Sequence, residues 1–170
     1  MKLYVSPLPP LKSGESRAAN ERNATLALLR EIFGNEVLYS HKPSGAPLII
    51  SAGKEHLVSI SHSASTVAIA VADAEEALGV DVETYRVQLE RVQSRYLSDA
   101  ESELFTAPVD KLKAWTAKEA VYKAALTPGL SLTEIDCTRI ADGIVTARNL
   151  IYSITFPAAS LSETIAIVTR

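Results

Sequence analysis

The sequence has one cysteine, few aromatic residues and no long apolar run. The single cysteine, Cys137, excludes an intrachain disulfide and is typical of a reducing compartment, where we expect it to be a small buried residue. No segment approaches the length of a membrane span, and the proline-rich start lacks the apolar core of a signal peptide. We therefore expect a cytoplasmic protein without a membrane partner.

No excess of either charge is present. The chain carries 17 lysine and arginine residues against 20 aspartate and glutamate residues, for a formal net charge of −3. A basic arm or stripe is lacking, so nucleic acid is not an expected partner. With 170 residues, 47% of them hydrophobic, the chain is long enough for one good core or for two small subdomains that share one.

Hydrophobic spacing and turn signals predict an α+β fold. The predicted strands cover residues 2–6, 36–41, 48–50, 56–61, 66–72, 77–83, 134–141, 149–156 and 164–169. The predicted helices cover residues 15–33, 89–96, 98–105 and 110–126. Both halves follow a loose plan of helix and strands, so we predict two similar subdomains packed as one compact unit, residues 1–78 and 79–170, each an antiparallel sheet with a long helix.

Acidic residues suited to a metal site occur in one strand and one helix. Asp81 and Glu83 alternate with valine, which places both on one side of the strand. Glu119 and Lys123 lie one turn apart on one face of the long helix. Taken singly, these would be a solvated strand face and a surface pair worth roughly 0.3–0.5 kcal/mol. Together the three carboxylates offer the oxygen ligands that Mg²⁺ prefers, with Lys123 facing the phosphates of a substrate.

Five segments, in order, carry a resemblance to a known family. They are 45–48 (GAPL), 59–63 (SISHS), 79–83 (GVDVE), 95–101 (RYLSDAE) and 115–123 (WTAKEAVYK). They resemble the Gly-Lys-Pro, Ser-His-Ser, Gly-x-Asp-x-Glu, Arg-Phe-Phe-x-x-x-Glu and Trp-x-x-Lys-Glu-Ala-x-x-Lys elements of the 4′-phosphopantetheinyl transferases. The similarity is to the monomeric, surfactin-synthetase-activating type, in a short form. It implies a pseudo-dimer of two α/β subdomains with the active site at their interface.

The resemblance also implies a reaction. The 4′-phosphopantetheine arm of coenzyme A would pass to a serine of an apo acyl or peptidyl carrier protein, with release of adenosine 3′,5′-bisphosphate. Asp81, Glu83 and Glu119 would hold Mg²⁺. Glu119 would also take the serine proton, directly or through a water, and Lys123 would contact the phosphates.

The resemblance accounts for only some of the residues with which the family binds coenzyme A. His62, flanked by Ser61, resembles the family histidine that binds a phosphate of coenzyme A. Ala46 stands where the family commonly has a lysine, and Lys42 across the turn is the candidate replacement. The family's basic residues near the first helix have no clean counterpart. The candidates there are Lys12, Arg17 and Arg22. We therefore predict weaker or altered binding of the nucleotide end.

Other motif residues have structural interpretations. We expect Trp115 to pack its helix and Glu101 to cap a helix that begins at Ser98. Lys118 lies on a different face from Lys123 and is either part of the site or a solvated side chain. A basic patch is a candidate docking surface for the carrier protein, or equally a solvated helix face. Its members are Arg86, Arg91 and Arg95.

Two other functions use the same residues. One is a non-catalytic relative that binds coenzyme A or a carrier protein, which the complete set of three carboxylates and Lys123 disfavours. The other is a metal-dependent phosphohydrolase, for which the sequence shows no nucleophile and no second metal set.

Overall fold

The computed structural model describes all 170 residues as eleven strands and four α-helices. The strands are β1 (Lys2–Pro7), β2 (Leu38–His41), β3 (Pro47–Ser51), β4 (Lys54–His56), β5 (Val58–His62), β6 (Thr66–Val71), β7 (Leu78–Glu83), β8 (Ile135–Asp136), β9 (Ile144–Ala147), β10 (Leu150–Ala159) and β11 (Thr164–Thr169). The helices are α1 (Arg17–Phe33), α2 (Gln88–Arg91), α3 (Asp99–Leu104) and α4 (Pro108–Ala125).

The strands form three antiparallel sheets. Their orders are β1-β6-β5, β2-β3-β4 and β7-β11-β10-β9-β8. Helix α1 packs against the first-half sheets, and helix α4 packs against the five-stranded sheet. The predicted α+β class, with an antiparallel sheet and a long helix in each half, is confirmed. None of the helices combines the length and apolar composition that a bilayer crossing requires.

Helix α1 begins and ends where its sequence signals it. The Ser16 hydroxyl caps the first turn by accepting the Ala19 amide, and Gly34 ends the helix at a φ of +91°. Leu28 and Leu29 face the sheets. The cluster they join also contains Val37, Ile49, Val58, Val67 and Ile69. Burial of this apolar face, rather than helix propensity, holds α1 in place.

Helix α4 begins with Pro108 in its first turn, where a missing amide costs nothing, and ends before Leu126, which is left-handed at a φ of +47°. Its sheet-facing side is rich in small residues. Ala114, Ala117 and Ala120 are fully buried in the largest apolar cluster of the protein. These short side chains let the helix axis lie close to the sheet.

The two halves share a third apolar cluster. In β6, Val67 and Ile69 face α1, while the alternate residues Ala68 and Ala70 face the second half. Across the junction they meet branched side chains from two strands of the five-stranded sheet. These are Leu78, Val80, Val82, Ile165 and Ile167. The halves therefore pack as one body, and a boundary at residues 78 and 79 stays a prediction.

Two predicted elements differ from the structure, and strand β4 was not predicted. The strand predicted over 134–141 is wrong: only β8 is extended there, between 3₁₀ turns at Leu132–Glu134 and Ile140–Asp142. Ser131 caps the first turn, and Gly143 ends the second at a φ of +74°. The strand lies later, at β9.

The helix predicted over 89–96 is a single α-turn, α2, followed by a 3₁₀ turn at Gln93–Arg95. Val87 cannot cap it, and Val92 leaves helical geometry between the two turns. Strand β4 was not predicted, because its hairpin turn uses Ala52 and Gly53, both at positive φ.

Candidate active site

Helix α4 crosses strand β7 at a glycine. A Cβ atom at Gly79 would lie 1.9 Å from the Ala120 carbonyl oxygen, so no other residue fits without moving the helix. Side chains alternate along the strand, so the face that carries Gly79 also carries Asp81 and Glu83. The close crossing therefore brings two strand carboxylates up to the helix that carries Glu119.

Asp81 and Lys123 form the centre of this junction. The Lys123 ammonium donates to Asp81 Oδ1 and to Ser61 Oγ, both at 2.8 Å, and to the Val80 carbonyl at 3.1 Å. The Ser61 hydroxyl donates to the same Asp81 oxygen at 2.8 Å. Asp81 is only 4% exposed, yet its Oδ2 atom has no hydrogen-bond partner. A buried carboxylate oxygen without a partner is rare and marks a position suited to a cation or donor.

Glu83 is held by two neighbours. The Trp115 indole donates to Oε1 at 3.1 Å, and the Arg86 guanidinium contacts both carboxylate oxygens at 3.1 Å. Trp115 also packs edge-on against Tyr96, with ring centroids 5.1 Å apart. Trp115 packs its helix, as predicted, and it also makes a polar contact with Glu83 that no local sequence pattern indicates.

Glu119 is half-buried beside these groups. Burial raises its pKa, Asp81 and then Glu83 raise it further, and Lys123 acts in the opposite direction. Burial is also the main cause of the raised pKa of Glu83, to which Asp81 contributes. The three predicted metal ligands therefore lie within electrostatic reach of one another.

The carboxylates of Asp81, Glu83 and Glu119 lie near one another, but they are not close enough together to form a metal-binding group. No three acidic, histidine or cysteine side chains form a group that could hold a metal ion. Charges affect one another's pKa over longer distances than a metal–ligand bond spans, so carboxylates that are too far apart to share a metal ion can still raise one another's pKa. The donor chemistry, all oxygen and with Asp81 Oδ2 free, fits a hard divalent cation.

Two serines join the sheets at this point. Ser59 Oγ accepts the Val80 amide at 2.9 Å, and Ser61 Oγ accepts the Val82 amide at 3.3 Å. These amides lie on the open edge of β7, which would otherwise present unpaired donors. The Ser-Ile-Ser alternation places both hydroxyls on one side, a signal available in the sequence but not used for this role.

A cleft of about 600 Å³ opens beside the junction. Four of the predicted site residues line it: Lys42, Ala46, His62 and Lys123. The other four, Ser61, Asp81, Glu83 and Glu119, are outside the lining, although Ser61 and Asp81 contact Lys123 directly. The cleft also has an apolar side, and that side is formed mainly by Leu57, Leu78, Tyr122, Leu126 and Pro128.

His62 is oriented by helix α1. Its Nε2 atom lies 2.7 Å from Thr25 Oγ1, and the Thr25 hydroxyl donates to the Glu21 carbonyl. Because that hydroxyl proton is already used, Nε2 is the donor in the contact, and Nδ1 is the unprotonated nitrogen of neutral His62. Burial lowers the pKa of His62, with Glu21 acting in the opposite direction.

The candidate contacts for the nucleotide end are dispersed. Lys42 forms an ion pair with Glu55 at 2.6 Å on the rim of the cleft. Arg17 pairs with Glu21 at 2.6 Å, while the Arg22 guanidinium lies 5.7 Å from the Tyr39 ring centre and borders a second pocket. Lys12 lines neither pocket.

A second ion pair lies on α4, away from the cleft. Lys118 is fully buried and donates to Glu101 Oε2 at 2.8 Å and to the Leu132 and Ile135 carbonyls. A solvated Lys118 is therefore wrong. Glu101 caps α3 at Ser98, as predicted, and its Oε1 also accepts the Cys137 amide at 2.8 Å.

Cys137 is buried, as expected, and burial raises the pKa of its thiol to about 12. Of the basic patch, Arg86 is bound to Glu83, whereas Arg91 and Arg95 are exposed and form no ion pair. The patch is therefore only partly available to a partner.

The α+β fold thus carries, at the junction between two sheets, an acid–lysine cluster whose Lys123 lines a cleft. A family model for the 4′-phosphopantetheinyl transferase superfamily matches residues 77–166. This match covers just over half of the 170 residues, so the chain belongs to that superfamily, whose members transfer phosphopantetheine. The match spans β7 and α4, and so the three carboxylates and Lys123. Among curated proteins, none matches the chain.

Proposed function

We propose that the protein transfers the 4′-phosphopantetheine group of coenzyme A to a serine of an apo acyl or peptidyl carrier protein. The observation that carries this proposal is the position of the acid–lysine cluster. Asp81 and Lys123 are in direct contact, and Lys123 lines the same cleft as Lys42 and His62. A donor molecule in the cleft would therefore have its phosphates next to Lys123, whose ammonium contacts Asp81.

The cleft suits coenzyme A in size and character. Its volume is in the range of small-molecule sites. Polar and cationic groups on one side would contact the phosphates, and Leu57, Tyr122 and Leu126 offer apolar surface to the remainder of the ligand. The walls come from both halves of the chain, which supports a monomer as the active form.

Asp81, Glu83 and Glu119 are the residues that would hold Mg²⁺. The unpartnered Asp81 Oδ2 and the oxygen-only donor set support this assignment. When bound, Mg²⁺ would neutralise the diphosphate and polarise the reacting phosphoryl group. The indole of Trp115 and the guanidinium of Arg86 would restrain Glu83 from the other side.

Glu119 is the proposed base. Its raised pKa makes it a stronger proton acceptor than an ordinary carboxylate. It would take the proton of the carrier serine as the serine oxygen bonds to the β-phosphorus. The bond from that phosphorus to the bridging oxygen breaks, and adenosine 3′,5′-bisphosphate leaves.

Lys123 is the proposed electrostatic stabiliser. Its ammonium is fixed by Asp81, Ser61 and the Val80 carbonyl before any ligand arrives. A positioned cation needs little reorganisation as charge builds on the leaving phosphate. Catalysis would thus depend mainly on positioning and charge, as is general for phosphoryl transfer.

Intact-mass spectrometry tests the proposal. An apo carrier protein incubated with this protein, coenzyme A and Mg²⁺ should gain the mass of one phosphopantetheine. Glu119→Gln should abolish the gain, whereas Glu103→Gln, an exposed carboxylate on α3, should leave it unchanged. Fatty-acid, polyketide and peptide-synthase carriers should each be tried, and failure with all three would contradict the proposed activity.

A second candidate is a non-catalytic relative that binds coenzyme A or a carrier protein. The ion pair between Lys42 and Glu55, together with Ala46 in place of a lysine, favours it because the nucleotide end then has little free positive charge. Binding of coenzyme A without transfer to any carrier would support this alternative. A cytoplasmic location, proposed from the reduced Cys137, suits either candidate.

A further inference from the structure

All three histidines of the chain line the same cleft. His41 ends strand β2, His56 ends β4 and His62 ends β5, so three separate strands deliver them. Histidine is the side chain whose charge ordinarily changes near neutral pH. A cleft in which every histidine of the protein gathers is therefore open to control by protons.

The lysines of the cleft supply little free positive charge. Lys42 is paired with Glu55 at 2.6 Å, and Lys123 is paired with Asp81 at 2.8 Å. No arginine lines the cleft. An anionic ligand arriving there meets two lysines that are already neutralised by carboxylates.

The histidines themselves have nitrogens available to a ligand. His62 uses Nε2 for Thr25, which leaves Nδ1. His56 Nε2 lies 3.3 Å from the Ser51 hydroxyl, and His41 Nε2 lies 3.3 Å from the Tyr39 hydroxyl. In each case only one ring nitrogen is used within the protein. A neutral ring has one acceptor nitrogen, which repels phosphate oxygens, and protonation turns that nitrogen into a donor and gives the ring a positive charge.

Several charged groups surround these rings and bear on their titration. The acids are Glu21 beside His62 and Glu55 next to His56, and the cations are Arg17, Arg22, Lys42 and Lys123. For His62, burial lowers the pKa and so favours the neutral ring in the free protein; Lys123 and Arg17 act in the same direction, and Glu21 acts against them. The negative charge of phosphates bound in the cleft would instead favour the protonated rings.

We propose that His41, His56 and His62 together supply the charge that holds the phosphates of coenzyme A, and that binding takes up protons from solvent. The inference rests on the proposed function, and it adds His41 and His56 to the ligand-facing residues. Because the complex holds more protons than the free protein, affinity falls as pH rises through the range where the histidines titrate.

The test is calorimetric binding of 3′-dephospho-coenzyme A to the full chain, without metal, from pH 6 to pH 8.5. This ligand keeps the diphosphate but lacks the 3′-phosphate, whose own titration near pH 6 would obscure that of the protein. Buffers with different heats of ionisation report the number of protons taken up. We expect net uptake, and a dissociation constant that rises about threefold to tenfold per pH unit.

Single substitutions to glutamine separate charge from structure. His41→Gln, at an exposed position, and His56→Gln should each reduce the proton uptake and the pH dependence while leaving affinity at pH 8.5 nearly unchanged. Ser44→Ala, on the same cleft but without a titrating group, should match the parent protein. A merely structural histidine would lower affinity equally at every pH.

The outcomes are distinct. Binding with no proton uptake and the same affinity at every pH would overturn the histidine proposal and leave the proposed function standing. Absence of binding by either coenzyme A or its dephospho form at any pH would overturn both. Measuring coenzyme A in parallel shows how much the 3′-phosphate adds.

Discussion

Helix α4 carries two lysines that each pair with a carboxylate, yet the two pairs differ in almost every other respect. The pair of Lys118 and Glu101 is fully buried, and hydrogen bonds from α3 and the Cys137 amide complete it. The pair of Lys123 and Asp81 lies at the edge of a cleft, with Lys123 30% exposed and one Asp81 oxygen unpartnered. The first is a closed network and the second is an open one.

The difference separates an ion pair that stabilises the fold from one that can also bind a ligand. A buried pair whose polar atoms are all satisfied fixes the position of its helix and leaves nothing for a ligand. A pair with an unused oxygen and access to solvent retains bonding capacity. On this helix, the closed pair would hold α4 in place so that the open pair, a little over one turn away, meets strand β7.

The largest expected effect comes from breaking the closed pair. Lys118→Met leaves the Glu101 carboxylate buried without a cation, and we expect a loss of about 3–5 kcal/mol in the free energy of unfolding. Urea unfolding measures the loss. Labelling of Cys137, whose buried thiol has a raised pKa, should become faster in the same variant.

The matched substitution in the open pair is Lys123→Met. It should cost about 2–3 kcal/mol, because Asp81 is left buried without a cation, but less than the closed pair, because Lys123 is 30% exposed and water can take the place of its ammonium. Cys137 should stay as unreactive as in the parent. Equal losses of stability for the two variants would remove the distinction between a closed and an open network.

A smaller effect is expected where α4 meets β7. Gly79→Ala places a methyl group against the Ala120 carbonyl, and moving the helix should cost about 1–3 kcal/mol. Trp115 fluorescence reports a displacement of α4, because the indole donates to Glu83 across the same junction. A variant as stable as the parent, with unchanged fluorescence, would show that the helix does not rest on this glycine.

The smallest expected effect is a gain in stability, from Glu119→Gln. Burial and Asp81 raise the pKa of Glu119 in the folded state, so ionisation near neutral pH lowers the free energy of unfolding. Glu119→Gln should therefore stabilise the metal-free protein at pH 7 by up to about 1 kcal/mol, after allowance for solvent screening.

Thermal unfolding with a chelator present measures this gain. It should shrink as the pH falls and vanish well below 4.5, the ordinary pKa of glutamate, because the carboxyl is neutral in both states only there. A destabilised Glu119→Gln would mean that the carboxylate is held by a favourable contact rather than strained by its neighbours.

Sequence patterns were sufficient where local chemistry decides. The cap at Ser98, the alternation of Asp81 with Glu83, and the helix that carries Glu119 all follow from spacing within a few residues. The α+β class follows as well, because helical and strand periodicities differ.

Local patterns failed where distant residues decide. The alternating stretch over 134–141 resembles a strand, but 3₁₀ turns lie at both of its ends, and Lys118 binds the Leu132 carbonyl of the first turn and the Ile135 carbonyl of β8. Lys118 itself has the same sequence signature as a solvated lysine, because its partner Glu101 lies 17 residues away. The three histidines likewise share no pattern in the sequence that predicts their common cleft.

The sequence by itself determined the superfamily, the three candidate carboxylates and the lysine of the site, because a residue's type and its neighbours in one strand or helix fix those. Tertiary structure alone decided which lysine is closed in and which is open, how the serines of β5 meet the amides of β7, and where the histidines gather. Those properties arise from packing between segments far apart in the chain, where burial and charge depend on every surrounding element rather than on local spacing.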